Sequence, residues 1–158
     1  MIFTEFFVKQ IGVVGVDDAG YFIELEPEYR SALEGLQGFD HLNVLWWFSG
    51  SDTEAARARL TEEKPYTKGP DMLGTFATRS PERPNPIALS CAGVTYLKEG
   101  RIGLDYLDAE EGSPVLDLKP YIPSLDRVEA PGVPDWCSHW PSSVETSGDF
   151  DWGAEFRF

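Results

Sequence analysis

The sequence predicts a mainly β protein that folds as a single barrel domain with one or two short helices. Short segments with strand character recur along the chain. In residues 20–26 the side chains Tyr21, Ile23 and Leu25 alternate with Phe22, Glu24 and Glu26, which is the period of a half-buried strand. Residues 41–48, His-Leu-Asn-Val-Leu-Trp-Trp-Phe, form a dense apolar run between Gly38 and Gly50. Many short strands with one capped helix favour a barrel, and 158 residues suit one domain.

The first fifty residues predict a hairpin, a helical turn and a central strand. Residues 5–16 and 20–26 form the two arms of the hairpin, and Asp17-Asp18-Ala19-Gly20 supplies its turn residues. Pro27 begins the helical turn, and Gly35 is placed to end it. The apolar run 41–48 is the central strand.

One helix is predicted at about residues 52–63. Ser51-Asp-Thr-Glu54 is a capping box, the following Ala55-Ala-Arg-Ala-Arg-Leu60 are good helix formers, and Pro65 stops the run. Four further strands are predicted at 72–78, 87–97, 101–108 and 115–118.

The chain divides by composition at about residue 125. Residues 1–125 carry the predicted barrel. Residues 126–158 are acidic and rich in Pro, Gly and Ser, but six aromatic residues recur among them: Trp136, Trp140, Phe150, Trp152, Phe156 and Phe158. Disordered segments are poor in aromatic residues, so we expect this tail to pack on the barrel or on a partner subunit.

Charge and cysteine usage restrict the function classes. The formal net charge of −14 is unfavourable for nucleic-acid binding, because phosphate contacts need Lys and Arg. No apolar run approaches the roughly 20 residues of a membrane helix, and the start of the chain lacks the features of a signal peptide. Cys91 and Cys137 match no metal or redox spacing. We therefore expect a cytoplasmic protein with reduced thiols, no metal and no membrane partner.

The most informative segment is residues 74–90, which contains three prolines and two arginines. Pro81, Pro84 and Pro86 each fix their own φ and bias the preceding residue towards extended backbone. Such a loop between two strands has little entropy left to lose on binding a ligand. It holds Arg79 and Arg83 in a fixed arrangement. The alternative is a plain turn, because proline clusters are also turn signals.

Three segments together resemble a known family. They are Ala77-Thr-Arg-Ser-Pro-Glu-Arg-Pro-Asn-Pro-Ile-Ala-Leu-Ser90, Gly35-Leu-Gln-Gly-Phe-Asp-His-Leu42 with the run after it, and Gly112-Ser-Pro-Val-Leu-Asp-Leu-Lys-Pro-Tyr-Ile-Pro123. In order and spacing they resemble the TrmO family, also called TsaA-like or YaeB-like, over about residues 8–125. The resemblance implies a TsaA-like β-barrel that binds S-adenosyl-L-methionine (SAM) and forms a homodimer. It also implies N6-methylation of threonylcarbamoyl-adenosine in the anticodon loop of tRNA.

The resemblance also implies a set of SAM contacts by motif position. These are His41, Leu42, Arg79, Leu89, Glu111, Gly112, Ser113 and Pro114. An arginine can hold the SAM carboxylate in a bidentate pair, and an acidic residue such as Glu111 can accept from ribose hydroxyls or offset a cation.

The general base is not fixed by the sequence, and three residues are candidates. On sequence alone a histidine such as His41 is more often a satisfied structural residue, but its position in the family motif reverses that preference and favours a role at the site. Asp117 and Lys119 project to the same face of a strand, either as an ion pair or as a site element. For the substrate, we expect Arg83 to meet the carboxylate of the modified adenosine and Asn85 to fix the loop or contact the ligand.

This chain departs from the family pattern in three places, which keeps other functions open. An N-terminal loop is absent between Gly15 and Tyr21, the family's basic segment appears as Lys64-Pro-Tyr-Thr-Lys-Gly-Pro70, and the C-terminal domain of longer members is missing. The alternatives are a methyltransferase of this fold that acts on a small molecule, and a SAM-binding module without catalysis.

Overall fold

The computed structural model describes residues 4–157, which form two compact units. The first contains residues 4–49 and 87–126, and the second contains residues 50–86 and 127–157. Phe158, one of the aromatic residues of the acidic tail, lies outside the described residues.

The first unit is a closed antiparallel barrel, which confirms the predicted fold class. The strands of the described chain are β1 (Gly12–Asp17), β2 (Gly20–Leu25), β3 (His41–Trp47), β4 (Thr61–Glu63), β5 (Met72–Gly74), β6 (Ile87–Lys98), β7 (Arg101–Leu104) and β8 (Pro114–Pro120). Six of them close the barrel in the order β1-β2-β7-β6-β3-β8. The central position predicted for residues 41–48 is confirmed, because β3 pairs along its length with both β6 and β8.

The predicted hairpin is confirmed, but its first arm is shorter than expected. β1 begins at Gly12, and residues 5–11 are not part of a strand. Gly20 has φ +112° after the two-residue turn, a conformation that glycine adopts at little cost. A 3-10 helix at Pro27–Leu33 follows, and Gly35 (φ +83°) ends that turn as predicted.

Strand alternation separates the barrel core from its surface. Leu42, Val44 and Trp46 of β3 are buried in the barrel core. The Trp46 indole donates to Ser90 Oγ at 3.0 Å, so its one polar group is satisfied. The intervening residues of β3, which include His41 and Asn43, are only partly buried.

The second unit corrects the predicted helix. Helix α1 spans only Glu54–Arg57, and its N-cap is Thr53, whose hydroxyl accepts from the Ala56 N–H at 3.1 Å. Thr61–Glu63, predicted as helix, forms β4 and pairs with β5. The strand predicted at 72–78 ends at Gly74, where a 3-10 turn over Thr75–Ala77 begins.

Short helices complete the described chain. They are α2 (Pro123–Asp126) in the first unit and α3 (Val144–Ser147) and α4 (Trp152–Glu155) in the second, with a 3-10 turn at Asp135–Cys137. Within the described range, every helix is too short and too polar to cross a membrane.

The aromatic residues of the tail pack together within the second unit. Their rings form a continuous chain of contacts that includes Tyr66, with centroid separations from 4.6 to 5.9 Å. We call this set the aromatic cluster: Tyr66, Trp136, Trp140, Phe150, Trp152 and Phe156.

Candidate functional site

Four of the sequence-predicted site residues lie on one outward face of the barrel. Residues directly opposite each other on paired strands point to the same side of a sheet. Leu45 of β3 is opposite Leu89 of β6 and Asp117 of β8. Asn43 is opposite Lys119. Because the alternate residues of β3 fill the core, this outer face carries His41, Leu89, Asp117 and Lys119.

His41 is the first residue of β3, and a carboxylate orients it. Its Nδ1 lies 2.8 Å from Asp40 Oδ1, and this hydrogen bond lowers the pKa of the Asp40 carboxyl. A neutral imidazole that donates from Nδ1 keeps its lone pair on Nε2, which makes Nε2 the nitrogen that can accept a proton. The ring also lies edge-on to Tyr121, with centroids 6.4 Å apart.

Asp40 is a residue that sequence reasoning missed. A carboxylate directly before a candidate histidine is the signal that could have found it, because ring orientation by a neighbouring acid is common at proton-transfer sites. Tyr121 is anchored beside the histidine by its own backbone N–H, which donates to the His41 carbonyl at 2.9 Å.

Asp117 and Lys119 form the ion pair that was one of the two predicted alternatives. Lys119 Nζ lies 2.8 Å from Asp117 Oδ2, and the hydrogen bond to Asp117 raises the pKa of the Lys119 ammonium. Both side chains are about half exposed or more, so both remain accessible to a ligand on the outer face. Nearby on the same face, Asn43 Nδ2 donates to Asp126 Oδ1 at 2.9 Å.

The other predicted SAM contacts of the first unit lie elsewhere on the barrel. The Leu42 side chain is fully buried in the core, on the opposite side of β3 from His41. Residues 111–113 form the turn before β8, and Pro114 is the first residue of that strand. Gly112 has φ +85° and its N–H donates to the Val14 carbonyl at 2.8 Å. That turn and Tyr121 flank opposite ends of β8, a separation of roughly 20 Å at about 3.3 Å per residue. The turn is therefore remote from His41 within one chain.

The part of segment 74–90 that contains the three prolines, residues 74–86, lies in the second unit; we call it the proline segment, and it is held by its own arginine. Arg83 Nη2 donates to the carbonyls of Thr75 and Thr78, both at 3.0 Å. Arg83 Nε is buried without a hydrogen-bond partner. The guanidinium therefore fixes the fold of the loop, which gives a physical basis for the predicted stiffness.

The two remaining predicted residues of this segment, Arg79 and Asn85, are exposed. Arg57 from α1 braces the same segment by donating from Nη1 to the Pro84 carbonyl at 3.2 Å. The segment thus presents exposed polar side chains on a fixed backbone. Among residues 4–157, no group of three or more His, Cys, Asp or Glu side chains is placed to hold a metal ion.

The chain is similar in sequence to proteins named for the binding of S-adenosyl-L-methionine. A protein of Archaeoglobus fulgidus named "S-adenosyl-L-methionine-binding protein" is 36% identical over 111 residues, which are 70% of this chain and 76% of that protein. A protein of Pyrococcus horikoshii named "Probable S-adenosyl-L-methionine-binding protein" is 38% identical over 120 residues, 75% of this chain and 85% of that one.

Solved structures of TrmO share the fold of this chain. The crystal structure of TrmO from Pseudomonas aeruginosa superimposes with a TM-score of 0.66 at 27% identity, over 85% of this chain and 62% of that chain. A second TrmO structure gives a TM-score of 0.64 at 29% identity, over 82% and 64%. The chain therefore spans about three fifths of the length of these TrmO structures.

The sequence profile of the tRNA-methyltransferase O N-terminal domain matches residues 9–127. This range contains all three motifs of the sequence analysis, both sides of the ion pair on β8 and the whole proline segment. The chain belongs to the TrmO family.

Proposed function

We propose that this protein is a SAM-dependent methyltransferase whose acceptor is the N6 atom of threonylcarbamoyl-adenosine in tRNA. The observation that carries the proposal is the family match over residues 9–127. Relatives named as SAM-binding proteins support the choice of methyl donor. The acceptor rests on the family alone.

The residues of the outer face fit the chemistry of SAM. Leu89, which is 49% exposed, offers apolar surface to a purine ring. Asp117 can accept hydrogen bonds from ribose hydroxyls, and Lys119 can neutralise a carboxylate. The ion pair between Asp117 and Lys119 holds both side chains at one place before a ligand arrives.

Further contacts are proposed outside the outer face. Arg79 presents a guanidinium that can hold a carboxylate in a bidentate pair. The turn before β8 is remote from His41 within one chain, so we propose that it contributes the Glu111 carboxylate to the site of the other subunit in the predicted homodimer; Gly112 in this turn has open space on its Cα. We also propose Leu42 as a contact through its backbone, because its side chain is buried.

When bound, SAM supplies an electrophilic methyl group. The chain must orient the acceptor nitrogen and remove the proton that N6 loses as its new bond to carbon forms. His41 is placed for this role, because Asp40 holds Nδ1–H and leaves Nε2 to accept the proton. Most of the acceleration is expected from positioning, with proton removal adding a smaller factor.

Arg83 and Asn85 are proposed as substrate residues of the proline segment. Asn85 is exposed between two prolines. Arg83 already donates to two backbone carbonyls through Nη2, so any contact with the substrate carboxylate would use the rest of the guanidinium.

Two observations favour a second candidate function, a SAM-dependent enzyme for a small acceptor or a SAM-binding module. Several relatives carry names that refer to SAM binding without a reaction. The net charge of −14 opposes RNA binding, because a polyanion must find cationic side chains on the protein.

The proposal is tested in two steps. Isothermal calorimetry with SAM should show one saturable site. Labelled SAM is then incubated with tRNA that carries threonylcarbamoyl-adenosine and with the same tRNA transcribed without the modification. We expect label only in the modified tRNA. Binding without labelling of either RNA would refute the tRNA activity and support the second candidate.

Variants then assign the roles. His41→Gln should lower the turnover rate roughly 10²- to 10⁴-fold if His41 takes the proton, with little change in SAM affinity. Lys119→Ala should weaken SAM binding instead. Lys98→Ala changes an exposed lysine at the end of β6, nine residues beyond Leu89; it is the matched control and should change neither quantity.

The homodimer and the cytoplasmic location stay predictions from the sequence resemblance. Analytical ultracentrifugation of the purified chain tests the first of them directly.

A further inference from the structure

Tyr66 is a buried member of the aromatic cluster and contacts three of the other five rings. Its side chain is 4% exposed. It stacks on Trp136 with centroids 5.3 Å apart, meets Trp140 edge-on at 5.0 Å and contacts Phe156 at 5.9 Å. Because aromatic rings pack against it on several sides, the Tyr66 ring is held in one orientation.

The backbone around Tyr66 is fixed by the end of the chain. Tyr66 forms an antiparallel bridge with Phe156. The Thr67 N–H donates to the Glu155 carbonyl at 2.9 Å, and the Arg157 N–H donates to the Pro65 carbonyl at 3.0 Å. The C-terminal segment is therefore held against residues 65–67 by backbone hydrogen bonds on both sides of this bridge.

The Tyr66 hydroxyl reaches the proline segment, where it accepts a hydrogen bond from the Arg79 backbone N–H. Burial of the phenol raises its pKa, against the lowering effect of that bond. The hydroxyl is thus neutral at pH 7 and its contact with Arg79 does not depend on pH in the physiological range.

The residues on both sides of Arg79 are also held. Thr78 and Ser80 are 6% and 7% exposed. Thr78 Oγ1 donates to the Thr75 carbonyl at 2.9 Å and accepts from the Ser80 N–H at 3.2 Å. The Arg79 side chain is exposed on a backbone that Tyr66 fixes at its own amide.

We propose that Tyr66 is a positioning residue for Arg79, and that the aromatic cluster holds Tyr66 in place so that the Arg79 guanidinium is pre-oriented for the carboxylate of SAM. This inference rests on the proposed function of the site. The other five rings of the cluster come after residue 127, where the family match ends. The positioning device is therefore built largely by the segment that this chain adds to the family domain.

The first test needs no ligand. Tyr66→Phe keeps the ring and its stacking and removes only the hydroxyl. Hydrogen exchange measured by NMR should show faster exchange of the Arg79 amide in the variant, because its acceptor is lost. Unchanged exchange of that amide would overturn the contact and the proposal with it.

The second test measures SAM affinity by calorimetry in four proteins: wild type, Tyr66→Phe, Arg79→Ala and the double variant. Loss of one neutral hydrogen bond that pre-orients a binding group should weaken SAM binding roughly 3- to 10-fold. In the Arg79→Ala background Tyr66→Phe should have no further effect, because there is no guanidinium left to orient. A purely structural role of Tyr66 would give the same loss in both backgrounds.

Tyr29→Phe removes a hydroxyl from a half-buried tyrosine of the first unit and is the control for any general effect of such a change. All affinities are compared well below the lowest Tm of the set. Equal affinities of wild type and Tyr66→Phe would overturn the role of Tyr66 and leave the proposed function standing. Absence of SAM binding to the wild type would overturn the proposed function itself.

Discussion

At the scale of single residues, Glu155 is a buried carboxylate whose charge depends on its neighbours. It is 5% exposed, and His139 Nε2 lies 3.0 Å from its Oε2. Burial pushes the pKa of this carboxyl up, but the hydrogen bond from His139 and the nearby Trp140 indole outweigh it, and the net pKa is lowered. Trp140 Nε1 and Glu155 Oε1 are both buried without a hydrogen-bond partner, so the indole acts on this carboxyl through its dipole.

This arrangement predicts the pH dependence of stability. A carboxyl whose pKa is depressed in the folded state contributes stability that is present above its unfolded pKa, which is near 4.5. That contribution is lost as the pH falls through the lower folded pKa. Glu155→Gln should destabilise the protein by roughly 1–3 kcal/mol at pH 7, as expected for a lost hydrogen bond to a charged group.

The measurement is urea unfolding at a series of pH values. The difference between wild type and Glu155→Gln should shrink as the pH falls below about 4.5. Glu129→Gln changes an exposed glutamate and should match wild type at every pH. A constant difference between Glu155→Gln and wild type from pH 7 to below pH 4 would contradict this account.

At the scale of elements, the helix predicted at 52–63 shows where local signals fail. The capping signal and the alanine-rich run were real, and a helix does start there, at Glu54. A run of this length is marginal as a helix without tertiary packing. Residues 61–63 instead satisfy their backbone hydrogen-bonding groups by pairing with Met72–Gly74. The local sequence around residues 52–63 does not indicate this partner.

The barrel strands were easier to predict, because their alternation is local. Closure of the barrel is not local: β2 pairs with β7 and β1 with β8 across some 80 to 100 residues. The same limit applies to the site. The sequence marked His41 and the ion pair on β8, but Tyr66 could not be found, since its ring partners lie 70 to 90 residues further along.

β1 contains a position where only glycine fits. A Cβ built on Gly12 overlaps the carbonyl oxygen of Glu24 and lies 3.1 Å from Leu25 Cα on the neighbouring strand β2. These are backbone atoms, so they cannot move aside as a side-chain end could. Gly12→Ala should therefore destabilise the barrel by roughly 1–3 kcal/mol through overpacking.

Thermal unfolding followed by circular dichroism checks this prediction. Gly50→Ala is the matched control, because a Cβ at Gly50 meets nothing within 4 Å and its φ is not in the left-handed region. We expect a clearly lower Tm for Gly12→Ala than for Gly50→Ala. Equal Tm values would show that β1 and β2 can separate locally without cost.

At the scale of the whole molecule, the excess of acidic side chains limits how many phosphate contacts the protein could make with RNA. The chain carries 27 acidic and 13 basic side chains. Among residues 4–157, six of the basic side chains pair with carboxylates: Arg30, Arg57, Arg59, Lys64, Arg101 and Lys119. The described residues therefore offer few cations to phosphate, and under the proposed function the recognition of tRNA would rest mainly on contacts to the modified base.

This balance predicts a weak salt dependence for tRNA binding. Each phosphate contact contributes about −0.7 to −0.9 to the slope of log K against log salt concentration, so roughly three or four contacts give a slope of about −2 to −3.6. Titrations of fluorescent tRNA over a range of KCl concentrations measure this slope. Unmodified tRNA is the control: it presents the same phosphates, so its slope should be equal while its affinity is lower. A slope near −6 would mean that phosphate contacts dominate after all, and equal affinities for the two RNAs would show that the modified base is not read.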